Sequence, residues 1–145
     1  MDKKEFDELI QQVKENKPKL FGLDADEIPT ITDIDIIEKY YGIVFPKSYK
    51  EFVLQYGGGY FAFTVVYSFD KQSSFYIKNN VTTEFINSNQ VFPVIDLETG
   101  DLVGFRINNG ICEDSMVLYN HEGNMLSDLK IGLYDALVKY GLKLQ

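Results

Sequence analysis

The chain has 145 residues, of which 45% are apolar and 14% aromatic, and its formal net charge is −8. This composition excludes a disordered chain and favours one packed domain over residues 1–145. The single cysteine, Cys112, excludes an internal disulfide and fits a reducing compartment, the cytoplasm. No signal peptide follows Met1, and no apolar run approaches the roughly 20 residues of a membrane helix.

Acidic residues are unevenly distributed along the chain. Residues 81–128 contain eight acids and one base, Arg106. The resulting negative potential disfavours nucleic acid as a direct partner and would steer a basic protein toward this segment. The same pattern is also typical of an ordinary solubilising surface, so charge alone leaves both interpretations open.

Two helices are predicted in the first 45 residues. Lys3–Lys17 carries apolar residues at helical spacing and is followed by Pro18, which stops the helix. Asp33–Tyr41 is the second, with Thr32 as its N-cap and Gly42 as its C-terminal stop.

A third helix is predicted from Pro46 to Tyr56. Proline suits the first helical position, where its missing N–H is not needed. The apolar stripe of this helix consists of Tyr49, Phe52, Val53 and Tyr56. Gly57–Gly59 then provides the left-handed conformation that ends a helix and turns the chain into a strand. A phosphate-binding loop is disfavoured at these glycines, because no lysine and no helix follow.

The second half of the chain changes to strand periodicity. Tyr60–Ser68 is rich in aromatic and β-branched residues and predicts a strand, with Asp70–Ser74 as a turn and Phe75–Ile77 as a short strand pairing back. Asn79–Gln90 is ambiguous. Thr82 is suited to cap a short helical turn through Ile86, and Asn87-Ser88-Asn89 is expected to break any longer element.

A regular series of strands and turns follows. The predicted strands are Val91–Asp96, Leu102–Ile107, Ser115–Tyr119 and Met125–Leu129, and Gly132–Tyr140 is a closing helix. Asn109-Gly110 is a strong signal for a tight hairpin between the second and third of these strands. The prediction is an α+β fold: a mostly antiparallel twisted meander sheet, with helices packed on one face and a C-terminal helix.

Several short motifs occur in a consistent order: Glu38, Gly42, Phe45-Pro46, Tyr49, Phe52, Gly57–Gly59, Phe92-Pro93, Gly100-Asp101 and Tyr119-Asn120-His121-Glu122. Together they resemble the signature of the SUKH superfamily, which is named after a fungal cell-wall-synthesis regulator. The resemblance covers about residues 30–142. Departures from the usual pattern are Gly57 for asparagine, Phe45 for leucine, Asn120 for aspartate, and the absence of tryptophan.

The sequence offers little for catalysis or for a cofactor. His121 is the only histidine, and a Cys112–His121 pair is disfavoured against a turn residue and a small buried hydrophobe. One histidine and one cysteine make a zinc site unfavourable, and we expect no cofactor and no metal. Asp96, Glu98 and Asp101 have the residue types that bind a hard cation, but carboxylates around a glycine turn are usually solvated.

The candidate binding residues lie in the acidic turns and on the aromatic strand. Alternate turns of a meander fall at the same end of the sheet, so we expect Asp96, Glu98 and Asp101 to share an end with His121 and Glu122. Tyr60 and Tyr67 lie on one predicted strand whose two faces cannot both be covered by helices, so the other face either meets a partner or is closed by a loop as a second core face.

The resemblance implies a protein that binds other proteins and is not an enzyme. Bacterial members mainly act as immunity proteins, so the expected partner is the C-terminal toxic domain of a polymorphic toxin, a basic nuclease being the best fit. We expect the protein to block the toxin's active site in the cytoplasm, without contacting nucleic acid or membrane. A scaffold or regulatory module of the same fold, without a toxin partner, is the alternative, and a hydrolase is the third hypothesis.

Overall fold

The computed structural model describes residues 1–144 and confirms the α+β fold. The helices are α1 Lys3–Asn16, α2 Ile31–Tyr41, α3 Lys47–Tyr56, α4 Ile77–Asn80, α5 Thr83–Asn89 and α6 Leu133–Ala136. The strands are β1 Gly59–Phe61, β2 Thr64–Val66, β3 Val91–Asp96, β4 Leu102–Asn108, β5 Ile111–Asn120 and β6 Met125–Asp128. A 3-10 turn, Pro18–Phe21, follows α1, and a π-helical turn, Leu137–Gly141, extends α6.

The six strands form one antiparallel sheet in the order in which they occur in the chain. Each strand therefore pairs with its neighbour in sequence, which is the predicted meander. The register shifts between Pro93 and Ile95 in β3, and again between Phe105 and Ile107 in β4. The β4–β5 hairpin turns at Asn109 and Gly110, whose φ angles of 52° and 78° are those of the predicted tight turn.

Helices α1 and α3 pack their aromatic side chains on one face of the sheet. Tyr49 and Phe52 of α3 are completely buried, as is Phe6 of α1. The ring of Tyr49 lies 6.0 Å from that of Phe105 on β4, and its hydroxyl donates a hydrogen bond of 2.6 Å to the carbonyl oxygen of Tyr67. The predicted stripe of α3 is thus the part of the helix that faces the core.

Helix α5 covers part of the opposite face of the sheet. Tyr119 pairs with Leu102, which is one residue from Val103 and therefore points to the other side. The ring of Phe85 on α5 packs edge-on against Tyr119, with 4.9 Å between centroids. This arrangement leaves less of the second face free than the sequence suggested.

The first residues of α2 differ from the prediction. The helix begins at Ile31, and Thr30, not Thr32, is its N-cap. The hydroxyl of Thr30 accepts from the Asp33 N–H at 3.1 Å, and the Asp33 carboxylate accepts from the Thr30 N–H at 2.9 Å. This reciprocal capping box satisfies two backbone donors that would otherwise lack partners.

The ends of α3 largely follow the prediction. Pro46 is the N-cap residue and not the first helical residue, a shift of one position. Gly42 ends α2 with a φ of 67°, and Gly57–Gly59 all have positive φ, as predicted for a helix stop. A Cβ on Gly57 would lie 2.1 Å from the carbonyl oxygen of Asp26, so this glycine is also required by close backbone packing.

The predicted strand Tyr60–Ser68 is wrong as a single element. It is a hairpin of two three-residue strands, with a two-residue turn at Ala62 and Phe63. Ala62 has a φ of 52°, and the Phe63 N–H donates to the carbonyl oxygen of Gly141 at 3.0 Å. This bond to the C-terminal turn anchors a conformation that a non-glycine residue rarely adopts.

The segment between β2 and β3 is more helical than predicted. Phe75–Ile77 is not a strand, because Ile77 begins α4 and only Tyr76 forms an isolated bridge with Ser68. Thr82 caps α5 as predicted, but Asn87-Ser88-Asn89 does not break the helix, which continues to Asn89.

Other boundaries in the second half of the chain also differ. The predicted strand Ser115–Tyr119 extends over Ile111–Asn120, and Met125–Leu129 ends at Asp128. The closing helix begins at Leu133 and changes to π-helical hydrogen bonding at Leu137.

Candidate protein-binding surface

Two acidic turns lie side by side at one end of the sheet. The β3–β4 turn and the β5–β6 turn are two connections apart in the meander, which places both at the same end. The contact is direct, because Asp101 Oδ1 accepts from the backbone N–H of His121 at 3.1 Å and lies 2.6 Å from His121 Nδ1. The predicted proximity of these turns is therefore present in the structure.

The Asp101–His121 contact changes the acidity of the carboxyl group. The hydrogen bond from the imidazole, together with that from the His121 backbone N–H, holds the pKa of Asp101 below its ordinary value of 3.8. The side chains of Asp101 and His121 are 25% and 46% exposed. The pair therefore remains accessible to a partner while it fixes one turn against the other.

Backbone geometry positions the remaining groups of the β3–β4 turn. Glu98 has a φ of 64°, and its N–H donates to Asp96 Oδ1 at 2.8 Å. Gly100 has a φ of 97° and lies under the imidazole of His121, where a Cβ would come within 2.8 Å of the ring. The glycine thus allows the histidine to lie flat across the turn.

The two turns and the last residue of β3 together present four carboxylates, those of Asp96, Glu98, Asp101 and Glu122. Glu98 and Glu122 are exposed, and neither turn contains a lysine or an arginine. His121 is the one basic side chain within them. The predicted acidic residues therefore form one surface, which we call the acidic end of the sheet.

The two predicted tyrosines have different positions. Tyr67 is 4% exposed and its hydroxyl donates to Asp96 Oδ2 at 3.1 Å, so its side chain is buried and not on the surface as predicted. Burial raises the pKa of the Tyr67 phenol. Tyr60 is 39% exposed on edge strand β1, where its ring packs edge-on against Phe75. Of the two, Tyr60 is the exposed side chain.

Other acidic side chains within the segment 81–128 lie away from the acidic end of the sheet. Glu113 and Asp114 are exposed near the start of β5, toward the opposite end of the sheet. Asp128 pairs with the only arginine, Arg106, at 2.8 Å. The local charge of the acidic end is consequently not neutralised by Arg106.

A Cys112–His121 pair is not formed. Cys112 is near the start of β5 and His121 follows its end, which puts them more than about 25 Å apart along an extended strand. Burial raises the pKa of the Cys112 thiol to about 12. Within residues 1–144, no three histidine, cysteine, aspartate or glutamate side chains are grouped as metal ligands, so Asp96, Glu98 and Asp101 do not form such a site.

Two exposed apolar residues were not identified by sequence reasoning. Leu23 and Ile28 are 61% and 53% exposed, in the connector between the 3-10 turn and α2. They border a groove next to Tyr60. The connector has no periodicity, so the sequence contained no signal for their common location.

The fold is that of an α+β protein built on an antiparallel meander, and its motif residues have structural roles. Glu38 accepts a 2.7 Å hydrogen bond from the Phe45 N–H and pairs with Lys50 at 3.0 Å. The SMI1-KNR4 cell-wall family model SUKH_6 matches residues 31–130, more than two-thirds of the chain. The protein therefore belongs to the SUKH superfamily, which includes toxin-immunity proteins.

Searches of curated proteins and of solved structures returned no match. Among the helices of residues 1–144, none is both long enough and apolar enough to cross a membrane.

Proposed function

We propose that this protein is an immunity protein that binds the toxic domain of a cognate polymorphic toxin and blocks its active site. The toxin that fits best is a basic nuclease acting in the cytoplasm, where the immunity protein would also reside. Membership of the SUKH superfamily supports the general role, since that superfamily includes toxin-immunity proteins.

The observation that carries the proposal is the acidic end of the sheet. Its four carboxylates lie at the end of β3 and in two turns, and the Asp101–His121 contact holds the two turns together. A nuclease active site carries basic groups that bind the phosphates of its substrate. Carboxylates at fixed positions can bind those basic groups in place of the phosphates. Complementary charge also accelerates the encounter of two proteins, which favours rapid neutralisation of a toxin.

We infer that the protein acts by binding and not by catalysis. A nucleophile requires a general base within hydrogen-bonding reach, and within residues 1–144 no serine, threonine or cysteine side chain hydrogen-bonds to the His121 imidazole, which contacts Asp101. The other reactive group, Cys112, is 5% exposed and lies far along β5. A pure protein that fails to hydrolyse nucleic acid or peptide substrates, yet protects cells from the toxin, would support this inference.

The test is association with the toxin domain encoded beside this gene, measured against salt concentration. The variant Glu98→Lys/Asp101→Lys/Glu122→Lys should associate more slowly, and its rate should depend less on salt. Glu98→Lys/Glu122→Lys retains the Asp101–His121 contact and should show the same trend. The matched control is Asp35→Lys/Glu113→Lys/Asp114→Lys, which changes net charge equally at exposed positions elsewhere.

The possible results separate the surface from the function. If all three variants have the same association rate and the same salt dependence, the acidic end is not the binding surface. If the wild-type protein neither binds the toxin domain nor protects cells that express it, the immunity function is wrong. If the variants unfold at the same temperature as the wild-type protein, weaker binding is not caused by a loss of folding.

The second candidate function is a scaffold or regulatory interaction module. The observation favouring it is the description of the matched family as cell-wall proteins. Binding to a protein that has no toxic activity, together with no protection against the neighbouring gene product, would support this alternative.

A further inference from the structure

A groove of about 340 Å³ lies between α1, the 3-10 turn and edge strand β1. Its floor is aromatic and consists of Phe21, Tyr56 and Phe61. Phe21 and Phe61 pack edge to face with 5.2 Å between ring centroids, which makes the floor a fixed surface.

The groove has an apolar border that water reaches. Leu23, Ile28 and Tyr60 are 61%, 53% and 39% exposed, and all three line the groove. An aromatic floor with exposed apolar residues around it is the arrangement found at the centre of protein interfaces.

The connector that forms one wall is held in place at its middle. The Asp26 N–H donates to the Gly58 carbonyl oxygen at 2.8 Å, and Asp26 Oδ2 accepts from the Ser68 hydroxyl at 2.6 Å. Leu23 and Ile28 flank this anchor on either side. The groove is therefore largely pre-formed, which lowers the entropy lost when a partner binds.

Charge around the groove identifies the kind of occupant. Asp24 and Asp26 line it, and the exposed Glu27 lies beside them with its N–H bound to Asp70 at 3.1 Å. The opposing base in the lining is Lys14. The excess of carboxylates attracts a positively charged segment and disfavours an acidic one.

Lys14 shows how a cation is placed in this groove. Its ammonium nitrogen lies 5.1 Å from the ring centre of Phe21 and 5.8 Å from that of Tyr56. These are distances at which an aromatic face attracts a positive charge. The aromatic floor thus already accepts a cation from the protein's own side chain.

We propose that the groove is a second docking site for the toxin domain, and that it receives a segment with an apolar side chain next to a lysine or arginine. The inference rests on the proposed function, because it assigns the segment to the same basic partner. Tyr60 pairs with Val65 and Val65 with Asp96, so the Cα atoms of Tyr60 and Asp96 lie about 10 Å apart, with the buried Val65 between them. One partner can therefore span the groove and the acidic end.

The first test removes the apolar border. Leu23→Ser/Ile28→Ser should raise the dissociation rate of the complex with the neighbouring-gene toxin domain about tenfold, because apolar contacts act mainly on dissociation. The matched control is Val44→Ser/Ile111→Ser, which removes two side chains that are 50% and 58% exposed near the β4–β5 hairpin. An equal effect of both double variants would overturn the proposal.

The second test examines the charge of the occupant. Lys14→Met keeps the aliphatic stem but removes the resident ammonium, so a basic segment should bind more tightly. Asp24→Asn/Glu27→Gln should weaken binding. A role of Lys14 in folding alone would not tighten binding, and weaker binding by Lys14→Met would overturn the assignment of a basic segment.

The outcomes distinguish this inference from the proposed function. A complex that is weakened by the acidic-end variant, but not by any groove variant, overturns the docking groove and leaves the immunity function supported. If the wild-type protein forms no complex with the toxin domain, both the docking groove and the immunity function are wrong.

Discussion

The carboxylate of Asp26 lies directly over Gly59, where a Cβ would come within 2.7 Å of the carboxyl carbon. A Cβ on Gly57 would come closer still, within 2.1 Å of the carbonyl oxygen of Asp26. The glycine run therefore serves two purposes at once: it ends α3, and it lets the connector before α2 lie against the start of β1. Sequence analysis identified only the first purpose.

This double role predicts a difference between two glycine substitutions. Gly42 and Gly57 have φ angles of 67° and 83°, but a Cβ on Gly42 would have no neighbour within 4 Å. Gly42→Ala should destabilise by roughly 1 kcal/mol through backbone strain alone. Gly57→Ala should cost roughly 3 kcal/mol or more, because the Asp26 backbone must also move.

Urea denaturation of both variants measures the two free energies of unfolding. Comparable values for Gly42→Ala and Gly57→Ala would contradict the close packing of the connector on the glycine run.

The N-cap of α2 gives a second prediction. Thr30→Ala removes the hydroxyl that accepts from the Asp33 N–H and should destabilise by about 1 kcal/mol. Thr32→Ala is the control, since Thr32 is exposed within the first turn and its loss should change stability by less than about 0.5 kcal/mol. Thermal unfolding of the two variants distinguishes them, and a larger effect at Thr32 would favour the start predicted from sequence.

The contact between Asp101 and His121 predicts that the carboxyl group of Asp101 has a lowered pKa, which a titration can measure. The pKa of Asp101 is lowered in the folded protein, so its carboxylate stabilises the fold above the ordinary value of 3.8. That contribution is lost as the pH falls below 3.8 through the lowered pKa. A carboxyl NMR titration should therefore give Asp101 a midpoint below 3.8.

The control for this titration is His121→Asn, which removes the imidazole donor. The midpoint of Asp101 should then rise toward its ordinary value. A midpoint that does not move would mean that the imidazole is not the cause of the shift.

Cys112 gives a fourth prediction. It is 5% exposed and burial raises its pKa to about 12, so very little thiolate forms at neutral pH. Ellman's reagent should react with the folded protein far more slowly than with the same protein in concentrated urea. Equally fast reaction in both states would show that Cys112 is not protected by the fold.

Local signals in the sequence predicted much of the fold. Gly42, Gly57 and the Asn109-Gly110 turn were identified because positive φ has a direct residue preference. Thr30 and Thr32 each have an aspartate three residues later, so the sequence pattern fits both as caps. Ile34 and Ile37 are each 2% exposed, and their packing is compatible with a helix capped by Thr30 or by Thr32.

Distant contacts explain what the sequence did not reveal. Tyr60–Ser68 contains no glycine, asparagine or proline, so nothing local marked a turn at Ala62. The bond from Phe63 to Gly141 joins residues 78 positions apart. For the acidic end, the meander predicted that the turns of Asp101 and His121 share an end, but not their hydrogen bond.

Phe6 of α1 lies against Phe61 and Tyr134, at 6.0 and 4.8 Å between ring centroids. Both Phe6 and Tyr134 lie outside residues 31–130, the span that the family model matches. A fragment cut to that span would leave Phe52 and Phe61 facing water, each worth roughly 1.5–3 kcal/mol of burial. Expression of residues 31–130 alone should therefore yield aggregated protein, since the region of family similarity is smaller than the unit that folds.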